Sequence, residues 1–223
     1  MSKGLTSQQI KAIDEYTIDD IGLPSMVLME RAALAITQKL LESDRKSEFS
    51  YDIVCGMGNN GADGLAIGRL LHQAGRTVTL YLVGDIDKAS AEFKRQIFIV
   101  QNLAVPIFSF DEVHGAYNAD VILDALFGIG LNRNVEEPNK TAIEKINQSD
   151  GRIIAVDVPS GLSADTGRPM GTAVEADITY TIGFNKIGFE QEASAGYVGA
   201  LFILDIGYPN ARLLQHIIQG GKE

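Results

Sequence analysis

The stretch VCGMGNNGADGLAIGRLL, Val54 to Leu71, decides the fold, because a glycine-rich turn in it joins an apolar run to a helical pattern. Gly56, Gly58 and Gly61 have the G-x-G-x-x-G spacing of a dinucleotide-binding turn. Glycines in such a turn allow positive φ angles and let a ligand approach the backbone, and the N-terminus of the following helix attracts anions. The stretch therefore predicts a ligand site where the first strand ends.

The same turn contains polar side chains that an ordinary pyrophosphate site does not need. Asn59 and Asn60 offer amide donors and acceptors, whereas the carboxylate of Asp63 would repel phosphate. Asp85, which ends the next apolar run, is the candidate for the acid that binds the ribose in an NAD site. We expect a polar ligand here, with a cation that balances the charge. The alternative is a tight turn whose glycines serve only steric needs.

Short β-rich runs alternate with helical patterns after residue 50, and the runs are apolar nearly throughout. This alternation is typical of a parallel sheet covered on both faces. We predict an α/β fold, a three-layer α/β/α sandwich with a Rossmann-like, mostly parallel central sheet, as a single domain over residues 1–223. The predicted strands are 51–56, 77–83, 104–108, 120–126, 152–158, 178–184 and 199–206.

Helical patterns cover 6–20, 25–42 and about 62–74, a segment around Phe93 and Ile97, and a segment that begins at Pro138. The helix 25–42 is apolar nearly all round, which predicts burial on more than one side. Helical patterns become sparse after residue 157, which predicts that the last strands pair as an antiparallel edge. The polar segment 43–50 is predicted to be a surface loop.

Composition excludes several classes of protein. The net charge of -10 disfavours nucleic acid and anionic membranes as partners. The single cysteine, Cys55, excludes an intramolecular disulfide framework and fits a reducing compartment; its place within a strand indicates core packing. No apolar run approaches the ~18 residues of a membrane span, and the N-terminus lacks a targeting signature. We therefore expect a cytoplasmic protein.

Two further strands end in the same way as the first. Asp124 leads into the glycine-rich loop 128–134, and Asp157 is followed by Ser160. Because the carboxyl ends of parallel strands lie along one edge, we expect these side chains to converge with Asn60. Gathered carboxylates need a cation or a proton, and such oxygens suit an alkali or alkaline-earth ion. The alternative role for each Asp is to cap a turn.

Two basic residues also follow strand ends. Arg133, in the loop 128–134, is suited to a phosphate. Lys186 follows the sixth run and is within reach of the same edge. A solvated position on the surface is the alternative for both.

Five motifs in this order resemble the NAD(P)H-hydrate epimerase family: LMERAALAI, GNNGADGLAIGRLL, DALFGIGLNR, AVDVPSGLSADTG and GFNKIGF. The resemblance extends over nearly the whole chain. It implies a Rossmann-like sandwich and an isomerase that interconverts the R and S forms of hydrated NADH and NADPH, which carry a hydroxyl on C6 of the nicotinamide ring. An S-specific dehydratase would then repair the cofactor. Because the chain stops at Glu223, we expect this dehydratase to be a separate protein.

The resemblance also implies roles for the residues that match its motifs. A potassium ion, one per subunit, would be bound by Asn60, Asp124 and Ser160. The substrate would contact Asn59, Asn60, Gly61, Ala62, Asp63, Gly128, Ile129, Gly130, Leu131, Asn132, Arg133, Asn134 and Asp157. The chain departs from the family at Ala62, where Gly is frequent, and at Asn185, where Pro is common. Neither departure touches the chemistry that the resemblance implies.

Asp124 and Asp157 are the candidate catalytic residues, since inversion at a hemiaminal carbon requires proton transfer. If Asp124 binds the cation, Asp157 is the stronger candidate. A plain NAD-dependent oxidoreductase is one alternative, and the side chains of Asn59, Asn60 and Asp63 count against it. A domain that binds protein partners or RNA-decay assemblies without turnover is another. A homodimer through the helix 25–42 follows from family analogy, although burial within one chain explains that helix equally well.

Overall fold

A seven-stranded sheet forms the centre of the molecule. The computed structural model describes residues 4–43 and 49–209, together with Leu214 and Ile217; residues 44–48 of the predicted surface loop lie outside the described residues. The strand order is β3-β2-β1-β4-β5-β6-β7, and every neighbouring pair is parallel. The strands are β1 Ser50–Gly56, β2 Thr77–Val83, β3 Ile107–Ser109, β4 Val121–Ala125, β5 Arg152–Val156, β6 Ile178–Ile182 and β7 Ala200–Leu204.

Helices connect most of these strands. Thr6 and Gln9 form a capping box at the start of the first helix, which continues into a π-helical turn at Tyr16–Asp20. The α-helices of the described chain are α1 Ser7–Glu15, α2 Ser25–Ser43, α3 Asn59–Gln73, α4 Ala91–Asn102, α5 Asn139–Asn147 and α6 Ala195–Val198. None of them combines the length and apolarity that a bilayer span requires.

The sheet lies between two layers. One face packs against α2, α3 and α4, which bury residues such as Ile36, Leu65 and Phe93. The other face packs against α5, with Ile143 and Ile146, and against loops elsewhere. The predicted three-layer α/β/α sandwich with a Rossmann-like sheet is thereby confirmed. Cys55 is fully buried in β1, so its predicted role in core packing is also confirmed.

The predicted antiparallel edge is wrong, because β7 is parallel to β6. The segment 183–199 returns the chain from the carboxyl end of β6 to the edge of the sheet where the strands begin, and β7 starts there. It does so through Ile187–Glu190, Glu192–Ser194 and α6, which are three or four residues long. Turns this short do not produce a helical repeat in the sequence, so the crossover was not visible there.

None of the three glycines of the first turn has a positive φ angle, and two of them pack closely against backbone. Gly56, Gly58 and Gly61 are all outside the positive-φ region. A Cβ at Gly56 would lie 2.3 Å from the carbonyl oxygen of Leu126, and one at Gly61 would lie 1.7 Å from that of Gly56. The freedom to adopt positive φ angles is therefore not used in this turn. Protein backbone lies close to Gly56 and Gly61, whereas a Cβ at Gly58 would meet nothing within 4 Å. This tight packing lets α3 begin at Asn59, three residues before the predicted start.

The helix α2 is buried on two adjacent sides. Ala33 and Ile36 pack on the sheet, whereas Leu28 packs toward α1 and Ile206. Val27 and Leu34 remain 41% and 49% exposed. Burial on more than one side is confirmed, and an apolar strip of α2 is left open.

Candidate active site

A cleft of about 940 Å³ opens at the carboxyl ends of the strands. Its floor lies between β1 and β4, where successive connections leave on opposite sides of the sheet. Open parallel sheets bind ligands at this switch point, and the volume is within the range of cofactor sites. Part of its wall comes from α1, through residues such as Lys11 and Asp14. The amphipathic sequence of α1 gave no sign of this role.

The structure brings most of the residues expected at the site together. Gly61 and Ala62 are buried behind the cleft within α3, and Asn134 is exposed beyond its rim. Asp124 and Ser160 are fully buried beneath the cleft and do not line it. The residues that line it are Asn59, Asn60, Asp63, Gly128, Ile129, Gly130, Leu131, Asn132, Arg133 and Asp157.

Asp157 lies immediately after β5 with a φ of 67°, an uncommon value for a residue with a side chain. Its backbone N–H donates to Tyr180 on β6 (2.9 Å). Its Oδ1 accepts from the Ile182 backbone N–H (3.1 Å). In the described chain every hydrogen bond to this carboxylate goes to Oδ1. Oδ2 faces the cleft, because a Cβ on Gly128 would lie only 3.0 Å from it.

Lys186 fixes the orientation of this carboxylate. Its ammonium lies 2.5 Å from Oδ1 of Asp157 and also donates to the carbonyls of Ile182 and Phe184. Only 1% of the Lys186 side chain is exposed, so the ammonium is held by these acceptors rather than by water. The structure therefore assigns Lys186 to the site, and the alternative of a solvated loop lysine is wrong.

A second carboxylate lies one layer deeper. Asp124 accepts hydrogen bonds from the Ser160 N–H (2.7 Å) and the Leu126 N–H (3.3 Å). The Ser160 hydroxyl in turn accepts from the Phe127 N–H (2.8 Å). Burial raises the pKa of Asp124 to about 6, against the lowering effect of these hydrogen bonds. In the described chain Asp124 has no ion pair, so its charge is uncompensated by protein.

Asp124, Ser160 and Asn60 together form a polar layer beneath the cleft, to which Asn60 contributes an amide. Asn60 adjoins Gly128, and its buried Nδ2 has no hydrogen-bond partner in the described structure. A half-turn of the amide would place an oxygen at this position. One uncompensated carboxylate with a hydroxyl and an amide oxygen is a donor set that fits a hard cation of low charge. The described residues form no cluster of three or more His, Cys, Asp or Glu for a transition metal.

Two further acidic side chains, Asp63 and Asp14, line the cleft. Desolvation, followed by the charges of Asp157 and Asp14, raises the pKa of Asp63 well above its ordinary value. Desolvation also raises the pKa of Asp14, which accepts a hydrogen bond from the Tyr208 hydroxyl. The raised pKa values favour the protonated form of both carboxyl groups, which reduces the charge repulsion between these acidic side chains.

Basic side chains also line the cleft. Arg133, Lys11 and Lys88 line the cleft. Lys88 pairs at 3.4 Å with Asp85, and both side chains are largely exposed. These groups can meet an anionic part of a ligand while its uncharged end reaches Asp157.

Comparison with known proteins gives a consistent result. The family described as "YjeF-related protein N-terminus" matches residues 25–188. The NAD(P)H-hydrate epimerase of Limosilactobacillus fermentum is 42% identical over 203 residues, which are 91% of this chain and 96% of that protein. The enzyme of the same name from Oenococcus oeni has the same identity and coverage.

A solved structure agrees on the fold. The crystal structure of the yeast protein ynu0 matches with a TM-score of 0.75 and 23% identity, over 84% of this chain and 83% of the yeast chain. The predicted family is confirmed by the sequence relatives, which match almost end to end. The chain belongs to the NAD(P)H-hydrate epimerase family.

Proposed function

We propose that the protein is an isomerase that interconverts the R and S epimers of hydrated NADH and NADPH at C6 of the nicotinamide ring. The names of its relatives support this reaction. The observation that carries it to this chain is the geometry of Asp157, whose Oδ2 faces a cofactor-sized cleft while Oδ1 is fixed by Lys186. A carboxylate held in this way is an acid–base group with one free oxygen.

The reaction requires proton transfer at one oxygen atom. C6 of the hydrated ring carries a hydroxyl and is bonded to N1, so it is a hemiaminal carbon. Its configuration inverts when the C6–N1 bond breaks, the C6 oxygen becomes a carbonyl, and N1 then adds to the other face of that carbonyl. The hydroxyl loses its proton in the first step and regains it in the last. One group can accept and return that proton.

Asp157 is the group that we assign to this transfer. Its ion pair with Lys186 supplies a carboxylate, which accepts the hydroxyl proton on Oδ2 as C6–N1 breaks. The electron pair left on N1 is delocalised toward the carboxamide through the ring double bond. When the ring closes on the opposite face, Asp157 returns the proton. Asp124 does not line the cleft, so we give it no part in proton transfer.

Lys186 is a positioning residue in this mechanism. It holds Oδ1, so that the remaining freedom of the carboxylate is small and Oδ2 stays directed at Gly128. Gly128 leaves the space in front of Oδ2 open, which a side chain would fill. Precise placement of an acid–base group accounts for a large part of its catalytic effect.

The polar layer beneath the cleft suits a potassium ion. Asp124, Ser160 and Asn60 would hold the ion, which would offset the buried charge of Asp124 and fix the loops that carry Gly128 and Asp157. The ion supplies electrostatic stabilisation and order when it is bound. The steps at C6 are carried out by the protein's own side chains.

The proposal extends to the location of the protein and to its partners. We propose that the protein is cytoplasmic, where its single thiol stays reduced. A separate S-specific dehydratase would consume the S epimer.

A homodimer through α2 would cover Val27 and Leu34, which are exposed in the single chain. Sedimentation of the wild type beside Leu34→Glu tests that interface, because a charge at its centre would separate the subunits.

The activity is tested with an S-specific dehydratase and a mixture of both epimers. The dehydratase alone removes the S form. The R form remains, because without an epimerase it converts to the S form only slowly. Added protein is expected to convert the remaining R form, so that all of the hydrate returns to NADH. Unchanged persistence of the R form in the presence of folded protein would overturn the proposal.

A further inference from the structure

A second cavity, of about 430 Å³, lies on the sheet face opposite α3 and α4. It begins beside Ser50 and Asp52, at the start of β1, whereas the cleft lies beyond the end of that strand. The two openings are therefore at opposite ends of β1, and a ligand of one does not occupy the other. Nothing in the epimerase mechanism uses this second cavity.

Among the described residues, no α-helix covers this part of the sheet. The helix α5 packs beside β4 and β5, and the loop 110–119 passes over β1 and β2 in its place. The loop packs with Phe110, Tyr117 and Ala119 and leaves a hollow between itself and the strands.

Three aromatic rings line this hollow. Tyr81 and Phe108 are partners in the β2–β3 register, and their ring centroids are 6.0 Å apart in a stacked arrangement. Tyr117 from the loop approaches Tyr81 at 5.0 Å with its ring tilted by 58°. Phe108 is 45% exposed, so the group of rings is accessible from outside.

A buried carboxylate lies beside the rings. Asp52 is 7% exposed, and its Oδ2 accepts from the N–H groups of Asn118 and Ala119 at 3.2 Å each. In the described chain its Oδ1 accepts no hydrogen bond. Asp52 and Tyr81 line the same cavity, and burial and then the charge of Asp52 raise the pKa of Tyr81. Glu112 is the other acidic residue of the lining, and the described lining contains no Lys or Arg.

We propose that this cavity, lined by Tyr81, Phe108, Tyr117 and Asp52, binds a small organic ammonium ion. Aromatic rings attract an alkylated ammonium through their negatively charged faces, and such cages are the usual protein site for these cations. The carboxylate supplies the counter-charge at the inner end. A cavity of about 430 Å³ holds an ion of this kind and is far larger than a bare metal ion needs.

Calorimetric titration with choline tests the site, with 3,3-dimethylbutanol as the uncharged molecule of the same shape. Choline is expected to bind, and the alcohol to bind more weakly by roughly fivefold or more, since it lacks the charge. Phe108→Leu removes one ring from an accessible position and is expected to weaken choline binding by about two- to fivefold. Phe98→Leu is the matched control, because Phe98 is 58% exposed on α4 and outside the cavity, so choline binding should stay unchanged.

Asp52→Asn is the second variant. An Asn side chain can still accept the two backbone hydrogen bonds, so the loop remains anchored while the charge is removed, and choline affinity should fall by roughly fivefold or more. No measurable choline binding to the wild type, or equal affinity for choline and the alcohol, would overturn the proposal. So would choline binding that both Phe108→Leu and Asp52→Asn leave unchanged. If Asp52→Asn does not fold, the comparison of Phe108→Leu with Phe98→Leu decides alone.

Discussion

Replacing Lys186 with Met removes the ammonium that holds Asp157 but keeps an unbranched side chain of similar length. The wild-type Lys186 side chain is 1% exposed, and its ammonium binds one carboxylate and two carbonyl oxygens. Breaking a buried ion pair costs about 3–5 kcal/mol of unfolding free energy, because one charge is left without compensation. The Asp157 side chain is 12% exposed to the cleft, where water can hydrate it. We therefore expect a loss near the lower value, about 3 kcal/mol.

Urea unfolding of the wild type, Lys186→Met, Asp157→Asn and the double variant measures this pair directly. Because the two side chains are in contact, the double variant should lose less than the sum of the single losses, by at least about 1.5 kcal/mol. Lys39→Met is the control, since Lys39 pairs with Glu42 on the surface and its loss should leave the free energy of unfolding unchanged within the error of the measurement. Single effects that add to within about 0.5 kcal/mol, or a Lys186→Met loss no larger than that of Lys39→Met, would refute the reasoning.

Gly128→Ala should lower kcat/KM for epimerisation by about 10²-fold, since its Cβ would lie 3.0 Å from Oδ2 of Asp157. Gly196→Ala is the control and should match the wild type, because the space around Gly196 is open. Equal kcat/KM values for the two variants would contradict the role of Gly128. Potassium chloride should raise Tm by about 2–4 °C over lithium chloride of equal strength, and Asp124→Asn should abolish the difference; an unchanged difference would place the ion elsewhere. Because the pKa of Asp14 is raised on folding, the unfolded chain releases this proton at a lower pH than the folded protein does. The free energy of unfolding therefore falls as pH rises from about 4 toward the pKa of Asp14 in the folded protein. Asp14→Asn, which can still accept from Tyr208, should flatten this fall, as urea unfolding across that pH range would show; an equally steep fall in the variant would contradict the assignment.

Most of the fold could be predicted because its signals are local. Each strand is a short apolar run, and the runs at Asp124 and Asp157 pass directly into glycine-rich loops. Parallel pairing then brings those loops to one edge without further information. The direction of β7 could not be predicted in this way, because it depends on a crossover made of three- and four-residue turns.

The internal arrangement of the site depends on contacts between distant residues. The sequence places Lys186 near the strand edge, but only the structure shows that it is buried against Asp157. Sequence spacing likewise cannot tell that Asp124 lies below the cleft while Asp157 opens into it, since both lie near the carboxyl end of an apolar run. In the structure Asp124 is a residue of β4, whereas Asp157 follows β5 and has a positive φ.

The rate of conversion of purified R-hydrate to the S form, followed by proton NMR, tests the central claim most directly when Asp157→Asn and Asp124→Asn are compared with the wild type. We expect Asp157→Asn to lower kcat by about 10²–10⁴-fold, with the fold and the potassium effect on Tm intact. We expect Asp124→Asn to lose the potassium effect on Tm. A full rate in Asp157→Asn, together with an inactive Asp124→Asn that still responds to potassium, would contradict the central claim.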